Sequence, residues 1–252
     1  MNHAAKRFLL AAAAVVSLAS CAQAPPAKDA NESGNQIAAL QAKLMDWPGL
    51  DHYKSENAAL PPATPGERRV VFFGDSITDA WGRGPDTGSF FPGKPYVNRG
   101  ISGQTTAQML VRFRQDVVDL HPRAVVILAG TNDVAGNTGP MTAEMTEDNF
   151  RSMVEIARAN GIRAILASIL PAADFPWRPG LQPASKIRAL NVWLQSYCRS
   201  EGLVHIDYYT PLADAAGGMK PRLSFDGVHP TAKGYAIMAP LAQAGIDKAL
   251  EK

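Results

Sequence analysis

At 252 residues the chain is long enough for one sizeable α/β domain once a leader is set aside. Its formal net charge of +2 is too small to argue for nucleic acid or anionic lipid as a partner. No internal repeat and no long run of like charge is visible.

Lys6 and Arg7 precede an apolar run from Phe8 to Ala19, the layout of a signal peptide and too short to span a bilayer. Leu18-Ala19-Ser20-Cys21 resembles a bacterial lipobox. That resemblance implies cleavage before Cys21 and a lipid on its thiol, and Ala22 in place of Asp points to the outer membrane. The alternative is cleavage after Ala22-Gln23-Ala24, which gives a secreted soluble protein. The expectation is a signal peptide over residues 1–20 and export to the bacterial periplasm or outer membrane as a lipoprotein. The lipid anchor is then the sole membrane contact.

Residues 21–36 are Pro-, Ala- and polar-rich and read as a flexible tether. Residues 37–68 read as a helical extension. A helix from Gln36 to Trp47 is broken by Asp46-Trp47-Pro48-Gly49, a short helix follows through Leu60, and Pro61 to Gly66 is a loop.

From residue 69 to 252 strands and helices alternate. Val70 to Phe73 is a β-branched and aromatic run, a buried strand that Gly74 ends. A Gly- and Pro-rich loop over 82–95 leads to a second strand at Tyr96–Ile101. A helix spans about Thr106 to Leu120, with Leu110, Phe113, Val117 and Leu120 on one face, and Pro122 ends it. Ala124–Ala129 is unbroken apolar sequence, a central strand. A helix over Thr142–Asn160, a strand over Arg163–Ile169 and a Pro- and aromatic-containing loop over Pro171–Pro183 come next. A helix over Ala184–Ser200 and a fifth strand over Leu203–Tyr208 follow. Leu212–Ala216 reads as a helical turn. The final helix opens at Thr231, buries Tyr235, Met238, Ala242, Ile246 and Ala249, and bends at Pro240. Five strands separated by helices imply an α/β fold, a three-layer αβα sandwich around a five-stranded parallel sheet.

Four segments carry the chemistry: Gly74-Asp75-Ser76, Asn98 to Thr106, Gly130-Thr131-Asn132-Asp133, and Asp226-Gly227-Val228-His229-Pro230. The first three follow strands, so a parallel sheet gathers them at its C-terminal edge. These segments, in this order across about residues 69–250, resemble the four blocks of the SGNH hydrolases, the GDSL esterase/lipase family. The resemblance places the family's Ser, Gly, Asn and His on Ser76, Gly103, Asn132 and His229, and implies a flavodoxin-like SGNH fold and esterase chemistry. Ile77-Thr78 stands where the longer family consensus has Leu.

The residues support the same roles. A serine hydroxyl needs a base to take its proton. Of the histidines beyond the leader, His52 lies in the extension, His121 at a helix end and His205 inside a strand, which leaves His229 as the candidate base. Asp226, three residues earlier on a tight turn, can reach the other imidazole nitrogen and fix the tautomer. The backbone N–H groups of Ser76 and Gly103 and the side-chain amide of Asn132 suit an oxyanion hole. Asp75 and Asp133 read as loop braces, and Cys198 as a small buried residue of a helix face. No cluster has metal-ligand spacing, so neither metal nor other cofactor is expected.

The expectation is an exported serine esterase acting on a small-molecule or glycan ester, with a short acyl group such as acetyl on a carbohydrate, and with no nucleic-acid partner. Trp177, in the loop Phe175–Gly180, either stacks on a sugar or acyl group or only packs its loop. The alternatives are a lysophospholipase, an acyltransferase that shares the acyl-enzyme, and a non-hydrolytic glycan-binding lipoprotein on the same scaffold.

Overall fold

The computed structural model describes residues 27–251. The expected signal peptide, Cys21 and its lipobox lie outside these residues. The chain divides into two units, residues 1–44 and 45–252. The described part of the first is a helix, α1, Ala27–Met45. It begins at Ala27 instead of at Gln36, so residues 27–36 are helical where an irregular tether was expected. The segment Ala27–Gln36 holds two Ala, a Lys, a Glu and a Gln, all good helix formers, and no proline to break the helix.

The second unit opens with a short helix, α2, Lys54–Ala59. The strands are β1 (Val70–Gly74), β2 (Tyr96–Gly100), β3 (Ala124–Leu128), β4 (Arg163–Ala167) and β5 (Val204–Ile206). They form one parallel sheet in the order β2-β1-β3-β4-β5. Between and after them lie α3 (Ser76–Asp79), α4 (Thr106–Asp116), α5 (Thr131–Ala135), α6 (Ala143–Ala159), α7 (Ala184–Ser200), α8 (Tyr209–Leu212) and α9 (Ala232–Leu250).

Alternation along each strand sends side chains to two separate cores. Val71, Phe73, Val125 and Ile127 pack with Met109, Phe113, Phe150, Met153, Ile187 and Leu194 of α4, α6 and α7. Val70, Phe72, Val126 and Leu128 pack on the other face with Tyr235, Met238, Ala242 and Ile246 of α9. Both faces are therefore dry, which is why β1 and β3 are apolar throughout.

The structure refines several expected elements. The helix expected from Thr106 to Leu120 stops at Asp116, because Val117 leaves helical geometry at φ −129°, and a 3-10 turn completes it over Val118–Leu120. The helical turn expected at Leu212–Ala216 falls earlier, at α8. The helix α5, directly after β3, was not anticipated; five residues are too few to show a periodic pattern. α9 runs unbroken past Pro240.

Candidate active site

The register puts three loops at one level. Gly74 at the end of β1 pairs with Gly100 of β2 and Leu128 of β3. In the strand order, β1 is followed by β2 on one side and β3 by β4 on the other, which opens a crevice at the C-terminal ends of β1 and β3. Ser76, Gly103 and Asn132 all follow those ends by a few residues.

Ser76 is the first residue of α3. Asp75 caps that helix, its carboxylate accepting from the Ile77 N–H at 3.0 Å. Gly74 has no room for a side chain: a Cβ there would lie 2.6 Å from the Leu128 carbonyl oxygen. The Ser76 hydroxyl therefore projects from a fixed strand-to-helix turn.

His229 lies 153 residues further on, and its Nε2 is 2.9 Å from Ser76 Oγ. Its Nδ1 is 2.7 Å from Asp226 Oδ2. Asp226 Oδ1 accepts from the backbone N–H groups of Val228 at 3.0 Å and His229 at 2.8 Å, closing a tight turn. Gly227 sits at φ +87°, a conformation that favours glycine. The Ser224 hydroxyl donates to the His229 carbonyl at 3.0 Å and holds the base of the turn. Partial burial opposes ionisation of Asp226, but hydrogen bonds from the His229 backbone and ring and from the Val228 N–H outweigh it, and the carboxyl is held below its usual range. An ionised Asp226 accepts a hydrogen bond from Nδ1–H, which leaves the Nε2 lone pair facing Ser76.

Gly103 lies at φ +81° with open space where a Cβ would be, so its backbone faces solvent at the crevice. Asn132 is buried in α5. Its Nδ2 donates to the Gln104 carbonyl at 2.9 Å and makes a longer contact, 3.4 Å, with Asp75 Oδ2. Burial pushes the Asp75 carboxyl up to about 7, against the lowering effects of the Ile77 N–H and the His229 charge. Burial also raises Asp133, which the Thr106 hydroxyl and N–H oppose. Asp133 accepts from Thr106 N at 3.0 Å and ties α5 to the start of α4.

Trp177 lies beside the crevice, 40% exposed, its ring 6.1 Å from the His229 ring and stacked on Phe175 at 5.1 Å. Cys198 is buried in α7, and burial pushes its thiol up to about 12, far from a reactive thiolate. No group of His, Cys, Asp or Glu among the described residues is placed to hold a metal ion.

Two residues that sequence reasoning passed over complete the surroundings. Arg112 is wholly buried and donates to the Gly74 and Arg99 carbonyls, to Gln104 Oε1 and to Asp116. Its place between Met109 and Phe113 on the buried face of α4 was a readable signal of a paired, structural charge. Asn137 Nδ2 donates to Asn132 Oδ1 at 2.7 Å. Nothing in the sequence marks it, since its partners come from separate loops.

The family described as "GDSL-like Lipase/Acylhydrolase family" matches residues 72–237. The chain is similar to a solved GDSL-like lipase from Bacteroides thetaiotaomicron, 45% identical, with a TM-score of 0.76 over 80% of this chain and 98% of that one. It is 26% identical over 223 residues to human platelet-activating factor acetylhydrolase IB subunit alpha2, covering 84% of this chain and 91% of the relative. Two other curated relatives are matched over less of their length. The chain spans 33% of an uncharacterized lipoprotein of Bacillus subtilis, YqeF, at 36% identity and over 31% of this chain. It spans 60% of the esterase TesA of Pseudomonas aeruginosa, at 31% identity and over 53% of this chain.

Proposed function

Since the chain belongs to the GDSL-like lipase/acylhydrolase family, we propose that it is a serine esterase working through an acyl-enzyme on Ser76. The observation that carries this is the unbroken hydrogen-bond chain Asp226–His229–Ser76, with contacts of 2.7 and 2.9 Å. As Ser76 Oγ attacks the ester carbonyl, His229 Nε2 takes its proton. The backbone N–H groups of Ser76 and Gly103 and Asn132 Nδ2 hold the oxyanion. The proton on Nε2 then passes to the leaving alkoxide oxygen as the acyl–oxygen bond breaks. Water, deprotonated by the same nitrogen, attacks the acyl carbonyl, and as the acyl–Oγ bond breaks the proton passes from Nε2 to Ser76 Oγ, releasing the acid and restoring the free serine. Asp226 stays ionised throughout and stabilises the imidazolium.

The substrate on this reading carries a short acyl group, acetyl on a carbohydrate. The partly exposed Trp177 ring beside His229 suits the apolar face of a sugar. The acetylhydrolase among the relatives supports the small acyl group. Rates with p-nitrophenyl esters from acetate to palmitate, for the protein and its Ser76→Ala variant, test both halves. The expected result is fast turnover of acetate, a steep fall by octanoate, and loss of nearly all activity in the variant. A maximum at long chains would favour a lysophospholipase, and a fully active Ser76→Ala protein would remove the serine mechanism.

A further inference from the structure

We propose that Asn137 and the indole N–H of Trp177 are positioning groups that fix the direction of the Asn132 side-chain amide and so keep a donor aimed at the oxyanion. The inference rests on the reading of Asn132 as an oxyanion donor.

A primary amide can turn over, exchanging its oxygen and nitrogen with little change of shape. In one orientation Asn132 offers N–H to the developing negative charge. In the other it offers a carbonyl oxygen, which repels it. Something must therefore break the symmetry. Asn137 Nδ2 lies 2.7 Å from Asn132 Oδ1 and donates to it, so the oxygen of Asn132 is held on the Asn137 side. The same Nδ2 makes a longer contact, 3.4 Å, with the carbonyl of Gly103, which carries the neighbouring oxyanion N–H. One amide group thus bridges two of the three donors.

Asn137 could itself turn over, and Trp177 prevents that. Its Nε1 lies 3.0 Å from Asn137 Oδ1. An indole N–H donates and cannot accept, so it fixes which end of Asn137 is oxygen. The polarity runs one way: Trp177 Nε1–H to Asn137 Oδ1, Asn137 Nδ2–H to Asn132 Oδ1, and Asn132 Nδ2 on the far side, where it donates to the Gln104 carbonyl and reaches Asp75 Oδ2 at 3.4 Å. The loop bearing Trp177 is anchored for this task by Arg178, whose Nη1 donates to the carbonyls of Ala135 at 2.7 Å and Gly136 at 2.8 Å, at the end of α5. The Gln104 carbonyl holds the other end of Asn132, so losing Asn137 weakens the alignment without abolishing it.

A double-mutant cycle on the full chain with p-nitrophenyl acetate tests this, with thermal unfolding followed in parallel. Asn132→Ala is expected to lower kcat by about 10²-fold, the usual effect of removing one oxyanion donor. Asn137→Ala is expected to lower kcat by roughly 10-fold with KM and Tm unchanged, since it acts on the transition state alone. Asn137→Asp is expected to be worse than Asn137→Ala, because a carboxylate accepts from Trp177 but places oxygen against Asn132 Oδ1. Trp177→Phe keeps the ring and loses the N–H, and is expected to lower kcat by about 3-fold. In the Asn132→Ala background, Asn137→Ala is expected to add nothing. Additive losses, wild-type kcat in the Asn137 variants, or losses that track Tm would each overturn the proposal. Full activity in Ser76→Ala, or no hydrolysis by the wild type, would instead overturn the esterase reading beneath it.

Discussion

Asp75 stands next to Ser76 and outside the hydrogen-bond chain Asp226–His229–Ser76. Its carboxyl is raised to about 7 in the fold, chiefly by burial. An unfolded chain releases that proton from about pH 4 upward. The folded state therefore binds more protons than the unfolded state between those values, and stability falls as pH rises through the window. Asp75→Asn cannot ionise and lacks this slope. Urea midpoints of the two proteins, compared at pH 5 and pH 8, are expected to shift relative to each other in the variant's favour at the higher pH. A difference that stays constant with pH would contradict the assignment. At this scale some residues announce themselves and others do not. Asp226 and His229 were legible because the turn that joins them is written within four consecutive residues. Asn137 was not, because its direction is set by Trp177, 40 positions away, through a contact no local pattern encodes.

The element that does most to hold the crevice in shape is α4. Arg112 reaches from it to carbonyls at the ends of β1 and β2, while its guanidinium lies 4.2 Å from the centre of the Phe73 ring. Burial lowers its pKa to about 10, against the raising effect of Asp116, and both side chains of the pair are fully buried. Asn57, in α2, donates to the other oxygen of Asp116 at 2.6 Å. Arg112→Ala would leave a buried carboxylate and three acceptors without their donor, an expected loss of about 3–5 kcal/mol in urea unfolding at pH 7. Pairing it with Asp116→Leu should restore part of that loss, because the uncompensated charge goes with it. A loss below about 1 kcal/mol for the single variant, the range of exposed pairs, would contradict the role. The long elements of the sheet and its covering helices were readable because each shows its period over many residues. α5 was not, and the break at Val117 was not, since the apolar face continues through Leu120 and only the backbone records the change. The early start of α1 was masked by the proline-rich flank that precedes it.

At the scale of the molecule, the strand order assembles the candidate site. Segments separated by up to 153 positions meet because β1 lies between β2 and β3, and because α9 follows the Asp226–His229 turn back across the sheet. The two cores fix the sheet from both faces, and so fix the level at which Gly74, Gly100 and Leu128 end their strands. The sheet could be inferred from its apolar runs, and the four segments from their order along the chain. The mutual support among the site's loops could not, because it consists of side-chain to backbone bonds between distant loops. Whether this assembly makes Ser76 a nucleophile is read by fluorophosphonate labelling followed by peptide mass spectrometry. One adduct is expected, on Ser76, formed quickly in the wild type, far more slowly in His229→Ala, and not at all in Ser76→Ala. An unlabelled wild type with native circular dichroism, or an adduct that persists in Ser76→Ala, would contradict it.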